Sequence, residues 1–180
     1  MNQTINDLKT RRSIRKFRDE QITGEELKTI LETATYAPTA RGAQSPKIVA
    51  VQNPELIKEL SALNRSFFPV DVSEDMDPFY GAKTLIIVLA DSEIPTYVED
   101  GASVLTQIVN AAHAVGVASC WIHRAREEFD SARGKELLKE WGIPDSYKGI
   151  GHVVLGYADM PTPKPVPRKE DYILYVEWNF

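Results

Sequence analysis

Apolar residues recur along this chain with two alternating periods, one helical and one extended. From Thr23 the period is helical: Leu27, Ile30, Leu31 and Ala34 share one face. Ahead of them Thr23-Gly24-Glu25-Glu26 forms a capping box, in which the threonine oxygen takes a free backbone N–H and Glu26 reaches back. That helix stops before Pro38. Lys47-Ile48-Val49-Ala50-Val51-Gln52 then reads as a strand. Asn53-Pro54 is an N-cap followed by proline at the first helical position, and Leu56, Ile57 and Leu60 line the helix beyond it. Thr84-Leu85-Ile86-Ile87-Val88-Leu89-Ala90 is continuously apolar, which predicts a strand covered on both faces. The next helix, capped within residues 96–99 and running to about Val115, is apolar around much of its circumference and is predicted to be central and buried. Residues 117–123 and 149–157 read as strands, 133–141 as a helix, and 172–178 as a further strand. A short capped helix is expected to begin at Thr4-Ile5-Asn6-Asp7, residues 37–46 form a loop, and residues 66–79 show no period.

This order suggests an α/β or α+β sandwich with helices around one sheet. Pro161, Pro163, Pro165 and Pro167 alternate with other residues and force an extended arm that cannot join a central strand. The strand after the arm pairs either with its own domain or with the sheet edge of a second subunit. A chain of 180 residues suits one domain, read here as a body over residues 1–160 and an arm over 161–180. Ordinary apolar content, no stretch approaching the ~20 apolar residues of a membrane span, no secretory-type N-terminus and a single cysteine, Cys120, together lead us to expect a cytoplasmic protein. A formal net charge of −5 argues against a general nucleic-acid binder.

Against that acidic balance, Arg11-Arg12-Ser13-Ile14-Arg15-Lys16-Phe17-Arg18 places five cations in eight residues. Such a cluster is costly unless an anion neutralises it, so the run reads as a phosphate site, and Arg168-Lys169 is a candidate to close it.

The basic run, Ala37-Pro38-Thr39-Ala40 with Gln44, and Phe79-Tyr80-Gly81-Ala82 before an apolar strand resemble the FMN-dependent nitroreductase family. Gly116-Val117-Ala118-Ser119-Cys120-Trp121-Ile122, Gly142-Ile143-Pro144, Leu155-Gly156-Tyr157 and Arg168-Lys169 continue the likeness in the family's order, over nearly the whole chain. The resemblance implies an α+β fold with a mostly antiparallel central sheet flanked by helices. It implies a homodimer with FMN at the subunit interface and a C-terminal arm and strand exchanged between partners. NADH or NADPH would reduce the flavin and then give way to an electron-poor acceptor: a nitroaromatic, a quinone or a related compound.

By the same resemblance, Arg11, Arg12 and Ser13 sit on phosphate and ribityl oxygens, and Arg168 and Lys169 finish the phosphate cradle. Arginine suits this work because its planar fork donates two bonds at once. Arg15 matches the cation at the N1 and C2-carbonyl end of the ring, where charge collects on reduction. Pro38, Thr39 and Ala40 match a loop laid against the ring across the dimer, and the amide of Gln44 suits the ring's uracil-like edge. Asn64 resembles a position that reaches the flavin. Ile122 and His123 belong to a segment whose backbone passes N5 and the C4 carbonyl. The chain departs from the common pattern at Gly42, at Ser45-Pro46, and at His123-Arg124. Those last two residues either shape the acceptor pocket or merely end a strand, with Arg124 pairing to Glu127 or Glu128.

Cys120, His113 and His152 read as structural residues, and the scatter of His and Cys leaves no recognisable metal site. No P-loop, Gly-x-Ser-x-Gly or dinucleotide fingerprint is present. Alternative readings are a non-catalytic FMN-binding carrier or redox sensor of the same fold, another flavin chemistry within the superfamily, and a small anion-binding regulator.

Overall fold

In the computed structural model, which describes residues 2–176, the strands β1 (Pro46–Val51), β2 (Thr84–Asp91), β3 (Ala118–Ile122) and β4 (Tyr147–Gly156) form one sheet. Their order is β1-β2-β4-β3, and every pairing is antiparallel. Six α-helices surround it among the described residues: α1 (Gln3–Thr10), α2 (Gly24–Ala34), α3 (Pro54–Ser66), α4 (Tyr97–Ala114), α5 (Ala125–Asp130) and α6 (Ala132–Glu140).

The continuous apolar run of β2 has its expected consequence. Ile86 and Val88 face one core, built with Ile30 of α2 and Leu105, Ile108 and Ala112 of α4. Leu85, Ile87 and Leu89 face the other, built with Leu60 of α3, Phe129 of α5, and Leu137 and Leu138 of α6. Each such aliphatic side chain, fully buried, contributes about 1.5–3 kcal/mol. α4 is the central buried helix that its pattern predicted.

The starts of α2 and α3 follow the cap chemistry, whereas Thr96 at the head of α4 makes no side-chain cap bond, its hydroxyl turning to Asp100 Oδ2 at 3.4 Å instead. Thr23 Oγ1 accepts from Glu26 N at 3.1 Å, and Glu26 Oε2 accepts from Thr23 N at 2.8 Å. Asn53 Oδ1 accepts from Leu56 N at 2.9 Å, with Pro54 opening the helix. Three expectations are corrected. α1 starts earlier than Thr4, because Asn2 Oδ1 accepts from Thr4 N and makes Asn2 the cap. The helix expected over 133–141 is preceded by a separate one, α5, and Ser131 caps α6 by accepting from Gly134 N. Residues 172–176 form no strand; Glu177 and Trp178 lie outside the described residues.

Glu26 does more than cap. The Tyr157 hydroxyl donates to Glu26 Oε2 at 2.7 Å, tying α2 to the end of β4. That bond, then those from Thr23, hold the Glu26 carboxyl below its ordinary 4.5. A depressed carboxylate stabilises the fold fully above the unfolded value and loses that contribution as pH falls through the folded one. Because the carboxylate is solvent-accessible, the effect is small. Glu26→Gln should leave the acid limb of the melting-temperature profile flatter than wild type between about pH 3 and 5. Identical acid limbs would show that the cap bonds do not depend on its charge.

Candidate functional site

The basic run leaves α1 as an extended segment laid beside the sheet. Residues 13 and 119 form a parallel bridge, and Ile14 N donates to Ser119 O at 3.0 Å. Further on, Arg18 N donates to Tyr157 O at 2.9 Å and residue 17 bridges residue 158. Ile14 is buried, which anchors the segment and leaves Arg15 exposed.

The proline arm returns to this same place. A cleft of 890 Å³ lies between the two, lined by Arg11, Arg12, Ser13 and Arg15 on one side and Lys164 and Arg168 on the other, with no acidic residue in its walls. The two basic groups that the sequence keeps far apart thus converge; Lys169 lies just outside the lining. Among the described residues none of Arg11, Arg12, Arg15 or Arg168 has a carboxylate partner. Burial, then the neighbouring charge of Arg12, pushes the Arg11 guanidinium below its ordinary value. Arg12 is partly occupied: its Nη1 donates to the carbonyls of Lys9 at 2.8 Å and Arg11 at 2.7 Å, closing the end of α1, while its Nε is buried without a partner. Arg168 turns back on its own segment by donating to Val166 O. Cys120, beneath the run, is buried, and burial pushes its thiol up against the opposing pull of Arg15, Ser13 and Arg11.

The loop holding Pro38, Thr39, Ala40 and Gln44 lies beside a separate cleft of 290 Å³ that Thr39 and Gln44 share with Val104. Its backbone is contorted: Arg41, Gly42 and Gln44 all have positive φ, at 55°, 66° and 49°. Such conformations persist only where surrounding contacts over-determine them. Asp100, buried in the first turn of α4, supplies those contacts. It accepts from Ala40 N at 2.9 Å and from Ser45 Oγ at 2.8 Å. The sequence gives little sign of this, since an acid in a first helical turn reads as a complement to the helix dipole.

Asn64 is fully buried. Its Nδ2 donates to the His123 carbonyl at 2.8 Å and to Glu128 Oε1. The resemblance places Asn64 at the flavin; here its amide holds the backbone that follows β3. Ile122 is buried at the end of β3, and His123 is exposed. Arg124 adopts φ 77° and lays its guanidinium 3.8 Å over the Phe68 ring; it pairs with neither Glu127 nor Glu128. Glu128 is bound instead to His152 Nε2 at 2.9 Å. His113 Nε2 meets Thr10 Oγ1 at 3.0 Å.

Two open cationic walls, a contorted loop pinned to a central helix, and a backbone turn after β3 now have fixed places on an antiparallel four-stranded α+β scaffold. The Nitroreductase family profile matches residues 8–157 of the chain. The chain belongs to the nitroreductase family. It is similar to a nitroreductase of Bacteroides fragilis NCTC 9343 whose structure holds bound FMN, with 29% identity, 98% of this chain and 100% of that one covered, and a TM-score of 0.89. A nitroreductase of Desulfitobacterium hafniense DCB-2, also with bound FMN, shares 30% identity over 98% of this chain and 100% of that one, with a TM-score of 0.86. An FMN reductase (NADPH) of Bacillus subtilis strain 168 is 27% identical over 96% of this chain and 73% of its own length.

The turn after β3 carries two residues that the family resemblance leaves without an assigned role. An imidazole and a guanidinium occupy residues 123 and 124, and the second is already engaged with the phenyl ring of Phe68. Among the described residues no group of His, Cys, Asp or Glu is placed to hold a metal ion, and no helix is long and apolar enough to cross a membrane.

Proposed function

We propose that this protein is a homodimeric enzyme that passes reducing equivalents from NADH or NADPH to nitroaromatics, quinones or related electron-poor acceptors. Its membership of the nitroreductase family makes it an FMN-dependent NAD(P)H oxidoreductase. The single observation that carries the site assignment is the acid-free cationic cleft between the 11–15 segment and the 164–168 arm.

The residues present fit FMN. Its phosphate is a dianion that needs charge-assisted donors, and the cleft offers unpaired guanidinium groups from two segments and an orphaned Arg12 Nε. Bound FMN would supply the hydride chemistry that links the nicotinamide to the acceptor. The chain's own part is to bind, orient and tune. Arg11, Arg12, Ser13, Arg168 and the adjacent Lys169 hold phosphate and ribityl oxygens. Arg15, exposed at the far end of the run, stabilises negative charge at the N1 edge. The backbone after Ile122 offers polar groups to the opposite edge. His123 and the Arg124–Phe68 pair wall the side from which a flat acceptor enters.

Pro38, Thr39, Ala40 and Gln44 complete the ring pocket from the partner subunit. Within one protomer that loop opens on a different cleft from the cationic one, as a residue set serving the neighbouring site would. The end of the arm supports the same assembly: Val166, Tyr172, Ile173, Leu174 and Val176 are each more than 60% exposed, an apolar strip that gains stability only against another surface.

Anaerobic titration of the FMN-loaded protein with NADH and NADPH tests this reading. The expected result is bleaching of the flavin absorbance within turnover time, followed by recovery of colour on adding a quinone or nitroaromatic. Tight FMN binding with slow bleaching by both nicotinamides would favour the carrier or sensor reading. Failure of the colourless protein to take up FMN would remove the flavin altogether.

A further inference from the structure

Three fully buried polar side chains from three different elements meet behind the turn that follows β3. Glu128 of α5, His152 of β4 and Asn64 at the end of α3 each have zero exposure. Glu128 Oε1 is the hub, taking His152 Nε2 at 2.9 Å on one side and Asn64 Nδ2 on the other. The second acceptor of Asn64 Nδ2 is the His123 carbonyl, at 2.8 Å. Removing an acid, an imidazole and an amide from water is costly, and this cluster is not even fully satisfied: Glu128 Oε2, His152 Nδ1 and Asn64 Oδ1 have no partner. Apolar side chains of similar volume would stabilise a core at least as well. What they would lack is a donor for the His123 carbonyl.

That carbonyl fixes a peptide plane. In a trans peptide the C=O and the following N–H point in opposite directions, and there is no cis bond among the described residues. With the His123 carbonyl held inward by Asn64, the Arg124 N–H is directed outward, toward the exposed side of the turn. It has no acceptor among the described residues. The plane is also held against backbone preference, because Arg124 sits at φ 77°, a region that side-chain-bearing residues seldom adopt. A flip of this one peptide would exchange an outward donor for an outward acceptor.

We infer that Glu128 and His152 are positioning residues that act through Asn64 to keep the 123–124 peptide with its N–H facing the flavin edge. The inference rests on the FMN reading above. A donor at that edge favours whichever form of the ring carries more negative charge there, so the network sets the ratio of affinities for reduced and oxidised flavin as well as holding the fold together.

The test compares Glu128→Gln with Glu128→Leu in the FMN-loaded protein. Glutamine keeps the Oε1 acceptor for both partners; leucine removes it and leaves Asn64 free to swing. The readouts are the flavin midpoint potential and, in flavin-free protein, hydrogen exchange at the Arg124 amide. Expected for Glu128→Leu is a change of about tenfold in the ratio of reduced to oxidised affinity, the scale of one hydrogen bond to a charged group. For a two-electron couple that equals about 30 mV. Altered exchange at Arg124 should accompany it, and Glu128→Gln should restore both to within about twofold of wild type. A folded, FMN-bound Glu128→Leu with wild-type potential and wild-type exchange would overturn the inference, leaving a purely structural cluster. Should that variant not fold, Asn64→Leu, which removes only the amide, carries the same expectation. Failure of both to fold would also decide for a structural role. Wild-type protein that takes up no FMN is a different result, which sinks the cofactor reading; the exchange measurement still decides the orientation of the peptide.

Discussion

Gly149→Ala is expected to destabilise the protein by more than about 3 kcal/mol, lowering the melting temperature by roughly 6–12 °C. A Cβ on Gly149 would lie 2.0 Å from Ala125 O and 2.2 Å from Ala125 C. Both are backbone atoms of α5, so no flexible side chain can give way. A second glycine approaches the same helix, since a Cβ on Gly134 of α6 would lie 2.0 Å from Glu128 O. α5 is therefore wedged between β4 and α6 at contact distances that only glycine permits. Because α5 begins directly after Arg124, any shift that relieves Gly149→Ala displaces the turn next to the proposed ring site. Thermal melts should be set beside Gly24→Ala, where nothing lies within 4 Å and a helix-opening glycine is replaced by a better helix former. That control should be neutral or slightly stabilising. Equal melting temperatures for Gly149→Ala and wild type would show that α5 slides freely, and the wedge would have to be abandoned.

The second large effect concerns the cofactor. Arg11→Ala should weaken FMN binding by about 10- to 100-fold, and Arg11→Ala with Arg15→Ala by more. A charge-assisted hydrogen bond in a partly desolvated site is worth about 1.5–3 kcal/mol. Arg11 has its guanidinium half withdrawn from water beside a second cation, and no acid compensates it, so a phosphate gains more from it than from a solvated lysine. Fluorescence titration of flavin-free protein with FMN and with riboflavin separates the two contributions. Loss of Arg11 should cost FMN far more than riboflavin, which has no phosphate; loss of Arg15 should cost both. Wild-type affinity for FMN should also fall with ionic strength, as it must when charges pair across water-accessible space. Unchanged FMN retention in the double variant would remove both side chains from the site.

Much of the scaffold is legible in the residue pattern, for identifiable reasons. β2 carries seven apolar or threonine positions in a row, a signal that survives any choice of window, and the capping box at Thr23 and the Asn53-Pro54 start are local chemistry that tertiary contacts need not alter. α5 escapes because six residues give less than two turns, too few for a period to register, and because it opens on a left-handed arginine rather than a capping side chain. The residues 172–176 have the composition of a strand, but a strand needs a partner edge, and composition says nothing of where that edge lies. The basic run stands out by charge density alone. Its convergence with Arg168 depends on a long return of the chain, which charge alone raises as a candidate and the family resemblance makes an expectation. Asp100 and Glu128 escape for one shared reason. Pattern reading assigns carboxylates to the surface, whereas these two are buried, Asp100 on the backbone of Ala40 and Glu128 on the Asn64 amide that holds the His123 carbonyl.

The strand order carries a consequence for biosynthesis. Among the described residues β4 is the last strand to be translated, yet it stands between β2 and β3, and β3 has no other neighbouring strand in the sheet. After Ile122 leaves the ribosome, 34 more residues must follow before the ladder can close at Gly156. At ~5–20 residues per second that interval is roughly two to seven seconds. Throughout it the nascent chain displays a half-built sheet whose most apolar strand is missing one flank, which makes this stage the natural point for chaperone engagement.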